Sequence, residues 1–137
     1  MLAALGGVLL RPARADSARL QAAVARFAAG APVHAGRVNL DVAGLIDNGN
    51  AVPITVTVDS LMTAADHVTR LALFSELNPY VDILGAELTP LMGRARVSTR
   101  IRLAQSQQLV AVAAMRDGSV WQHTVDVVVT LAACIET

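Results

Sequence analysis

Short runs of alternating apolar and polar residues, separated by turns, constrain the fold of this chain more than any other feature. Between residues 52 and 58, branched apolar residues alternate with proline and threonine, which predicts a strand with one buried and one wet face. Six further runs have a strand-like composition: 37–42, 67–75, 81–89, 94–103, 108–115 and 119–131. About seven strands at such spacings predict a mainly β fold, an immunoglobulin-like antiparallel β-sandwich.

Turn residues divide these runs at two informative places. Asp47-Asn48-Gly49-Asn50 predicts a tight turn just before the strand at 52–58. Asp117-Gly118 predicts a two-residue hairpin loop between the last two strands. The second of these turns favours antiparallel pairing of the strands that it joins, as a sandwich requires.

One helix is predicted in front of the strands, over residues 17–29. Asp16 or Ser17 is expected to cap its first amide groups, and Gly30 is expected to end it. Its apolar residues share one face: Leu20, Ala23, Val24 and Phe27. An amphipathic helix of this kind needs an apolar surface to lie against.

The first fifteen residues are predicted to be the end of a secretory signal peptide whose front is missing. Residues 1–10 are apolar, and Ala13-x-Ala15 matches the small-residue pattern of a cleavage site. The apolar run is too short to span a bilayer. The mature protein would then consist of one domain over 16–131, with its helix at 17–29, and a C-terminal arm at 132–137. The alternative interpretation of the start is an ordinary first helix.

The composition excludes several classes of function. Apolar residues make up 54% of the chain, which is enough for a core, and the formal net charge is zero. A dedicated nucleic-acid binder would have a strongly basic face, and aromatic residues for base stacking are few. We therefore expect no nucleic-acid partner and no membrane span.

No residue pattern indicates an active site, a metal site or a bound cofactor. The three histidines, His34, His67 and His123, are far apart and show no ligand spacing with one another or with Cys134. The sequence also lacks a phosphate-binding glycine loop and a nucleophile elbow. The chain is therefore predicted not to be an enzyme by itself.

Four arginines, called here the arginine row, occupy alternate positions near the middle of the chain: Arg94, Arg96, Arg100 and Arg102. With Ser98 they are predicted to share one face of a strand, opposite apolar residues. One interpretation is a solvated outer face of a sheet. The other is a surface for an acidic partner or a small anion, since the guanidinium group suits carboxylate, sulfate and thiosulfate.

Cys134 is the single cysteine of the chain and the fourth residue from its end. In an exported protein, a cysteine without an internal partner is a candidate reactive thiol or intermolecular disulfide partner. Its thiolate could accept a sulfur group or attack a disulfide. A stray exposed cysteine, or one bonded to a partner chain, is the alternative.

Several segments together resemble the SoxY family, the sulfur-carrier subunit of the thiosulfate-oxidising Sox system. The segments are Val38-Asn39-Leu40-Asp41, the run from Ile46 to Ser60 that contains Asn48-Gly49-Asn50, the arginine strand from Gly93 to Ala104, Asp117-Gly118-Ser119-Val120-Trp121, and Val127 to Leu131. The resemblance covers the chain from its helix to its last strand.

The resemblance implies an immunoglobulin-like sandwich, a periplasmic location and a heterodimer with the subunit SoxZ. Cys134 matches the family's carrier cysteine, which holds the sulfur intermediate covalently. The cytochrome SoxXA attaches thiosulfate to that cysteine, SoxB releases sulfate, and a sulfane dehydrogenase oxidises the remaining sulfur. A SoxY subunit is itself a carrier and has no catalytic turnover of its own.

The C-terminal arm departs from the family pattern. The family's arm typically ends Gly-Gly-Cys-Gly-Gly, whereas this chain ends Ala132-Ala133-Cys134-Ile135-Glu136-Thr137. Loss of the glycines stiffens and thickens the arm. Three alternatives follow: a working carrier with a divergent arm, a SoxY paralogue with another thiol-linked role, or a structural binding module whose cysteine forms an interchain disulfide.

Overall fold

The computed structural model describes residues 12–133, with side chains described from residue 15 onward. One helix, α1 (Pro12–Ala28), precedes the strands, and a short 3-10 helix covers Pro90–Met92. The strands are β1 (Val33–Ala35), β2 (Val38–Asp41), β3 (Leu45–Ile46), β4 (Val52–Val58), β5 (Val68–Ser75), β6 (Asp82–Glu87), β7 (Arg96–Ile101), β8 (Gln107–Met115) and β9 (Val120–Val129).

The strands form two sheets that face each other across an apolar core. The larger sheet has the order β1-β9-β8-β5-β6, with β3 pairing the far end of β9, and the smaller sheet has the order β2-β4-β7. The predicted mainly β sandwich with one N-terminal helix is confirmed. All seven predicted strands are present. The predicted number of strands was too low, because β1 and β3 are additional short strands that pair with β9 in parallel.

Alternation along β4 explains why the two sheets pack together. Its residues 52, 54, 56 and 58 are buried, and the residues between them are exposed or half-buried. Val56 is fully buried and meets Leu73 and Leu109 of the larger sheet in the same apolar cluster. The period-2 pattern read from the sequence therefore corresponds to a strand with one face in the core.

Helix α1 lies on the outer face of the larger sheet. Leu20 and Ala23 are buried against Phe74 and Val112, as the predicted amphipathic face requires. The helix begins at Pro12, five residues before the predicted start, so Asp16 and Ser17 lie inside it and not at its cap. Proline is favoured in the first turn of a helix, where its missing amide costs no hydrogen bond. The proposed cleavage site near residue 15 stays a prediction, and residues 1–11 lie outside the described part.

The hairpin between β8 and β9 has a three-residue loop, and the predicted two-residue loop was wrong. The amide of Met115 donates to the carbonyl of Ser119 at 2.8 Å, which leaves residues 116–118 as the loop. The amide of Gly118 donates to the carbonyl of Met115, and Gly118 has φ 87°. This is a turn followed by one left-handed residue, where glycine avoids the strain of a Cβ.

The carboxylate of Asp117 is stabilised within this loop. It accepts the Ser119 hydroxyl at 2.6 Å and the Ser119 amide at 2.8 Å. Because these bonds favour the ionised form, the side chain and then the backbone of Ser119 hold the pKa of Asp117 below its ordinary value.

The variant Ser119→Ala should raise the pKa of Asp117 toward its ordinary value, because the hydroxyl donor makes the largest contribution to the lowering. The stabilisation is present above the ordinary carboxyl pKa of about 4 and is lost as the pH falls through the lowered value. An NMR titration of the Asp117 carboxyl in both proteins measures the shift. Identical titration curves would contradict the assignment.

Candidate functional site

The residues that lead to Cys134 are bonded to the fold almost up to the cysteine. Cys134 itself lies outside the described residues, but residues 130–133, called here the stem, are described. Thr130 donates its amide to Ile46 at 2.9 Å, and the Leu131 carbonyl accepts the Gly49 amide at 2.8 Å. The Ala133 amide then donates to the Leu103 carbonyl at 3.0 Å. The stem therefore crosses from the end of β9 to the end of the smaller sheet.

Gly49 lies where the stem and the smaller sheet meet. Its amide binds Leu131, and its carbonyl accepts the Leu103 amide at 2.9 Å. A Cβ at position 49 would stand 2.4 Å from the Leu103 oxygen and 3.0 Å from the Ala133 nitrogen. Three backbone segments approach so closely here that the turn predicted at 47–50 requires glycine.

A buried polar network holds the backbone on both sides of Leu103, the residue that binds Gly49 and Ala133. Asn78 donates its side-chain amide to the Arg102 carbonyl at 2.8 Å and accepts the Ala104 amide at 3.0 Å. Gln107, which is also buried, donates to the Asn78 side-chain oxygen at 3.0 Å. These bonds hold both neighbours of Leu103, the residue whose carbonyl binds Ala133.

Apolar side chains are exposed on the β9 side of the stem. Leu45 and Val128 are direct neighbours in the β3–β9 pair and are 62% and 54% exposed, and Leu131 is 59% exposed. One side of the stem is therefore apolar surface. The other side, at the end of β7, leads to the arginine row.

The arginine row lies on the outer face of the smaller sheet, as the alternation predicts. Arg94, Arg96, Arg100 and Arg102 are exposed, while Ala95, Ile101 and Leu103 are buried in the core between the sheets. Thr99, expected on the inner face, is exposed because β7 is an edge strand. Among the side chains of residues 15–133, the single ion pair is between Arg37 and Asp66. No arginine of the row forms an ion pair with a described carboxylate.

The three histidines contact different parts of the fold. His34 lies against the Trp121 ring, His67 is bonded to the Thr63 carbonyl, and the Nδ1 atom of His123 accepts the Leu40 amide at 2.9 Å. Within residues 12–133, no group of three or more His, Cys, Asp or Glu residues is arranged to hold a metal ion. In the same range, no helix is long and apolar enough to cross a membrane.

Two supporting residues of this site were missed by sequence reasoning. Neither Asn78 nor Gln107 was among the predicted site residues, although both are polar residues that the fold buries. The signal in the sequence that could have identified them as buried is that each lies next to a long apolar strand. Which backbone groups they bind depends on the pairing of segments that are distant in sequence.

The fold and the stem together define a β-sandwich protein with a cysteine just beyond a bonded C-terminal stem. The family model described as sulfur oxidation protein SoxY matches residues 24–134. This chain therefore belongs to the SoxY family. No curated protein matches it significantly.

Solved structures share the fold of this chain. The sulfur carrier protein SoxY from Chlorobium limicola f thiosulfatophilum is similar with a TM-score of 0.70 and 23% identity, covering 84% of this chain and 99% of that one. The superoxide reductase (neelaredoxin) from Ignicoccus hospitalis has a TM-score of 0.60 and 16% identity, covering 69% and 80%. The superoxide reductase from Nanoarchaeum equitans has 0.54 and 13%, covering 69% and 92%. At these identities the likeness concerns the fold alone.

Proposed function

We propose that this chain is a periplasmic sulfur carrier of thiosulfate oxidation that holds its cargo covalently on Cys134. The observation that supports this most strongly is that the SoxY family match extends to residue 134, the cysteine itself. The likeness in fold to a sulfur carrier protein agrees with it. The chain would present the bound intermediate to other proteins and catalyse no step by itself.

The chemistry needs only one thiolate from this chain. In the loading step, the thiolate sulfur of Cys134 forms a bond to the outer sulfur of thiosulfate, and two electrons pass to a c-type cytochrome such as SoxXA. In the releasing step, a hydrolase such as SoxB adds water across the bond between the sulfane sulfur and the sulfonate. Sulfate leaves with the oxygen of that water, and the sulfane sulfur stays on the cysteine. A sulfane dehydrogenase would oxidise that sulfur further.

The proposed partners follow from membership of the family. A SoxZ-like subunit would form the heterodimer, and part of the exposed apolar surface would be covered by it. The site of action would be the periplasm, reached through the signal peptide predicted at residues 1–15. No metal or cofactor is needed on this chain for the proposed role.

The bonded stem determines how the thiol can be reached. Since Ala133 is bonded to Leu103, covalent geometry keeps the Cα atom of Cys134 about 3.8 Å from that of Ala133. An enzyme acting on the thiol would then have to approach the fold itself, because Cys134 directly follows a residue that is hydrogen-bonded to it. The substitution of the family's glycines by Ala132, Ala133 and Ile135 agrees with a stiffer arm.

The intact mass of the full chain tests this function. After incubation with thiosulfate, oxidised cytochrome c and the loading enzyme of the same organism, the wild-type protein should gain the mass of a thiosulfate group. Cys134→Ser should gain none, because it lacks the nucleophile. Subsequent addition of the hydrolase should release sulfate and leave one extra sulfur atom on the wild-type chain.

Other results of these experiments would support one of the alternative functions. An unmodified wild-type chain, with the same enzymes active on another carrier, would overturn the carrier function. A different adduct isolated from cells, or normal sulfur oxidation in cells with Cys134→Ser, would indicate a paralogue with another role. A dimer that disappears on reduction would indicate a structural interchain disulfide.

A further inference from the structure

We propose that the arginine row is the surface on which an acidic protein docks in order to act on Cys134. This inference rests on the proposed function and names the kind of partner that the stem requires. The expected partner is a protein with a carboxylate-rich face and not a small anion.

The arginine row lacks internal partners for its charge. Its four guanidinium groups are exposed on one face, and none forms an ion pair or a side-chain hydrogen bond with another described residue. The side chains directly opposite on β4 are uncharged, since Arg96 lies opposite Thr57 and Arg100 lies opposite Pro53. Asp41 is on the same outer face but one strand further away, opposite Thr55, and forms no ion pair with the row. A row of arginines without ion-paired carboxylates favours an external negative surface.

The spacing of the row favours a protein over a small anion. Arg96 and Arg100 lie four residues apart on β7, so their Cα atoms are about 13 Å apart, and Arg94 and Arg102 lie beyond the two ends of the strand. A sulfate or thiosulfate ion needs donors that converge on one point. A row of this length instead matches the dimensions of a protein interface.

An exposed apolar residue stands at the start of the row. Leu91, in the short 3-10 helix that ends two residues before Arg94, is 96% exposed, and its neighbour Met92 is 48% exposed. Apolar side chains contribute to a protein interface and nothing to the binding of a small anion. The combination of arginines with exposed apolar side chains therefore also favours a protein partner.

The row also leads to the thiol. It ends at Arg102, next to Leu103, and the Leu103 carbonyl binds the last described residue of the stem. A protein lying along β7 would have one end beside Cys134. Because the stem limits how far the thiol extends, docking on the row would bring the partner's active site to the cysteine.

A charge-reversal pair with a matched control tests the inference. Arg96→Glu with Arg100→Glu reverses two charges of the row. Arg26→Glu with Arg116→Glu reverses two exposed charges elsewhere, whose side chains also form no hydrogen bond with a described residue. Both variants change the net charge equally. Each is prepared as the full chain in complex with its SoxZ-like subunit, and enzymatic loading of Cys134 is followed by intact mass.

At low salt, the row variant should lose about tenfold or more in kcat/KM for loading, mostly through KM, and the control less than about twofold. The difference should shrink as NaCl rises toward 0.5 M, since screening weakens the attraction. Alkylation of Cys134 by iodoacetamide, a small neutral probe, should proceed at the same rate in all proteins. If the double reversal does not fold, Arg96→Gln with Arg100→Gln should give a smaller loss in the same direction.

Three outcomes would overturn the docking surface. Equal loading of the row variant and the control would exclude a local role for the arginines, while leaving the carrier function intact. Inhibition by sodium sulfate well beyond that by chloride at equal ionic strength would assign the row to a small anion. Failure of the wild-type chain to be loaded would overturn the carrier function and, with it, the docking surface.

Discussion

Gly49→Ala should destabilise the protein by about 2–4 kcal/mol, a large share of the roughly 5–15 kcal/mol that stabilises a typical domain. The new Cβ would be 2.4 Å from the Leu103 carbonyl oxygen, so the backbone must move. Movement weakens the hydrogen bonds of Gly49 to Leu131 and Leu103, each contributing about 0.5–1.5 kcal/mol, and adds the strain of overpacking. Urea unfolding followed by circular dichroism measures the loss.

The same substitution should also loosen the stem. The amides of Gly49 and Ala133 donate across the place where the Cβ would enter, so their hydrogen exchange should become faster than that of amides in β8. Exchange measured by mass spectrometry on the C-terminal peptide would detect this. A stem that opens without global unfolding would lengthen the reach of Cys134.

Gly44→Ala is the matched control for Gly49. A Cβ at position 44 meets nothing within 4 Å, and the backbone there is not in the left-handed region. Its carbonyl accepts the Val128 amide, a bond that alanine keeps. Stability should stay the same or rise by up to about 1 kcal/mol. Equal losses in the two variants would mean that the close approach at Gly49 has no special importance.

The sequence predicted the sheets well because their signal is local. Alternation along Val52–Val58 needs no knowledge of the partner strands, and the seven predicted strands all formed. β1 and β3 were missed because they have only three and two residues. They are strands only because they pair in parallel with the two ends of β9, a tertiary fact that no short window contains.

The start of α1 and the length of the β8–β9 loop were predicted wrongly, and both errors have local causes. Asp16 and Ser17 are good capping residues, but a proline further upstream also starts a helix well, and α1 begins there. In the β8–β9 hairpin, Asp117-Gly118 was interpreted as the whole loop. The structure uses Gly118 as the left-handed third residue after a turn, a choice that depends on the register of the flanking strands.

The site was predictable only in part. Cys134 and the arginine row could be named from residue type and spacing, and the exposure of the row agrees with that pattern. The stem could not be predicted, since its bonds join backbone groups of residues 49, 103 and 133, which are distant in sequence. Backbone donors and acceptors are the same at every residue, so sequence alone does not show which of them meet.

The stem changes how the divergent arm is understood. A glycine-rich arm lets a carrier thiol enter a partner's cleft while the body stays at a distance. Here Ala133 is bonded to Leu103, so an enzyme must come close to the sandwich to reach the thiol. Under the proposed carrier function, body-to-body contact would then be necessary for the reaction, and the charge of the arginine row would affect loading.

Asn78→Ala should also destabilise the protein by about 2–4 kcal/mol, because it removes the centre of a buried polar network. The Ala104 amide loses its acceptor and the Arg102 carbonyl loses its donor, and an unsatisfied buried group costs about 1–3 kcal/mol. Gln107 keeps a bond to the Gln105 carbonyl, which limits the loss. Thermal or urea unfolding measures the effect.

Asn39→Ala is the matched control, since Asn39 is exposed on β2 and its side chain forms no hydrogen bond with a described residue. Its effect should stay within about 0.5 kcal/mol. Asn78→Ala should in addition speed hydrogen exchange at Ala133, because Arg102 and Ala104 flank the Leu103 carbonyl that binds it. Lower stability with unchanged exchange at Ala133 would limit Asn78 to a structural role. Faster exchange would link the buried network to the anchoring of the thiol.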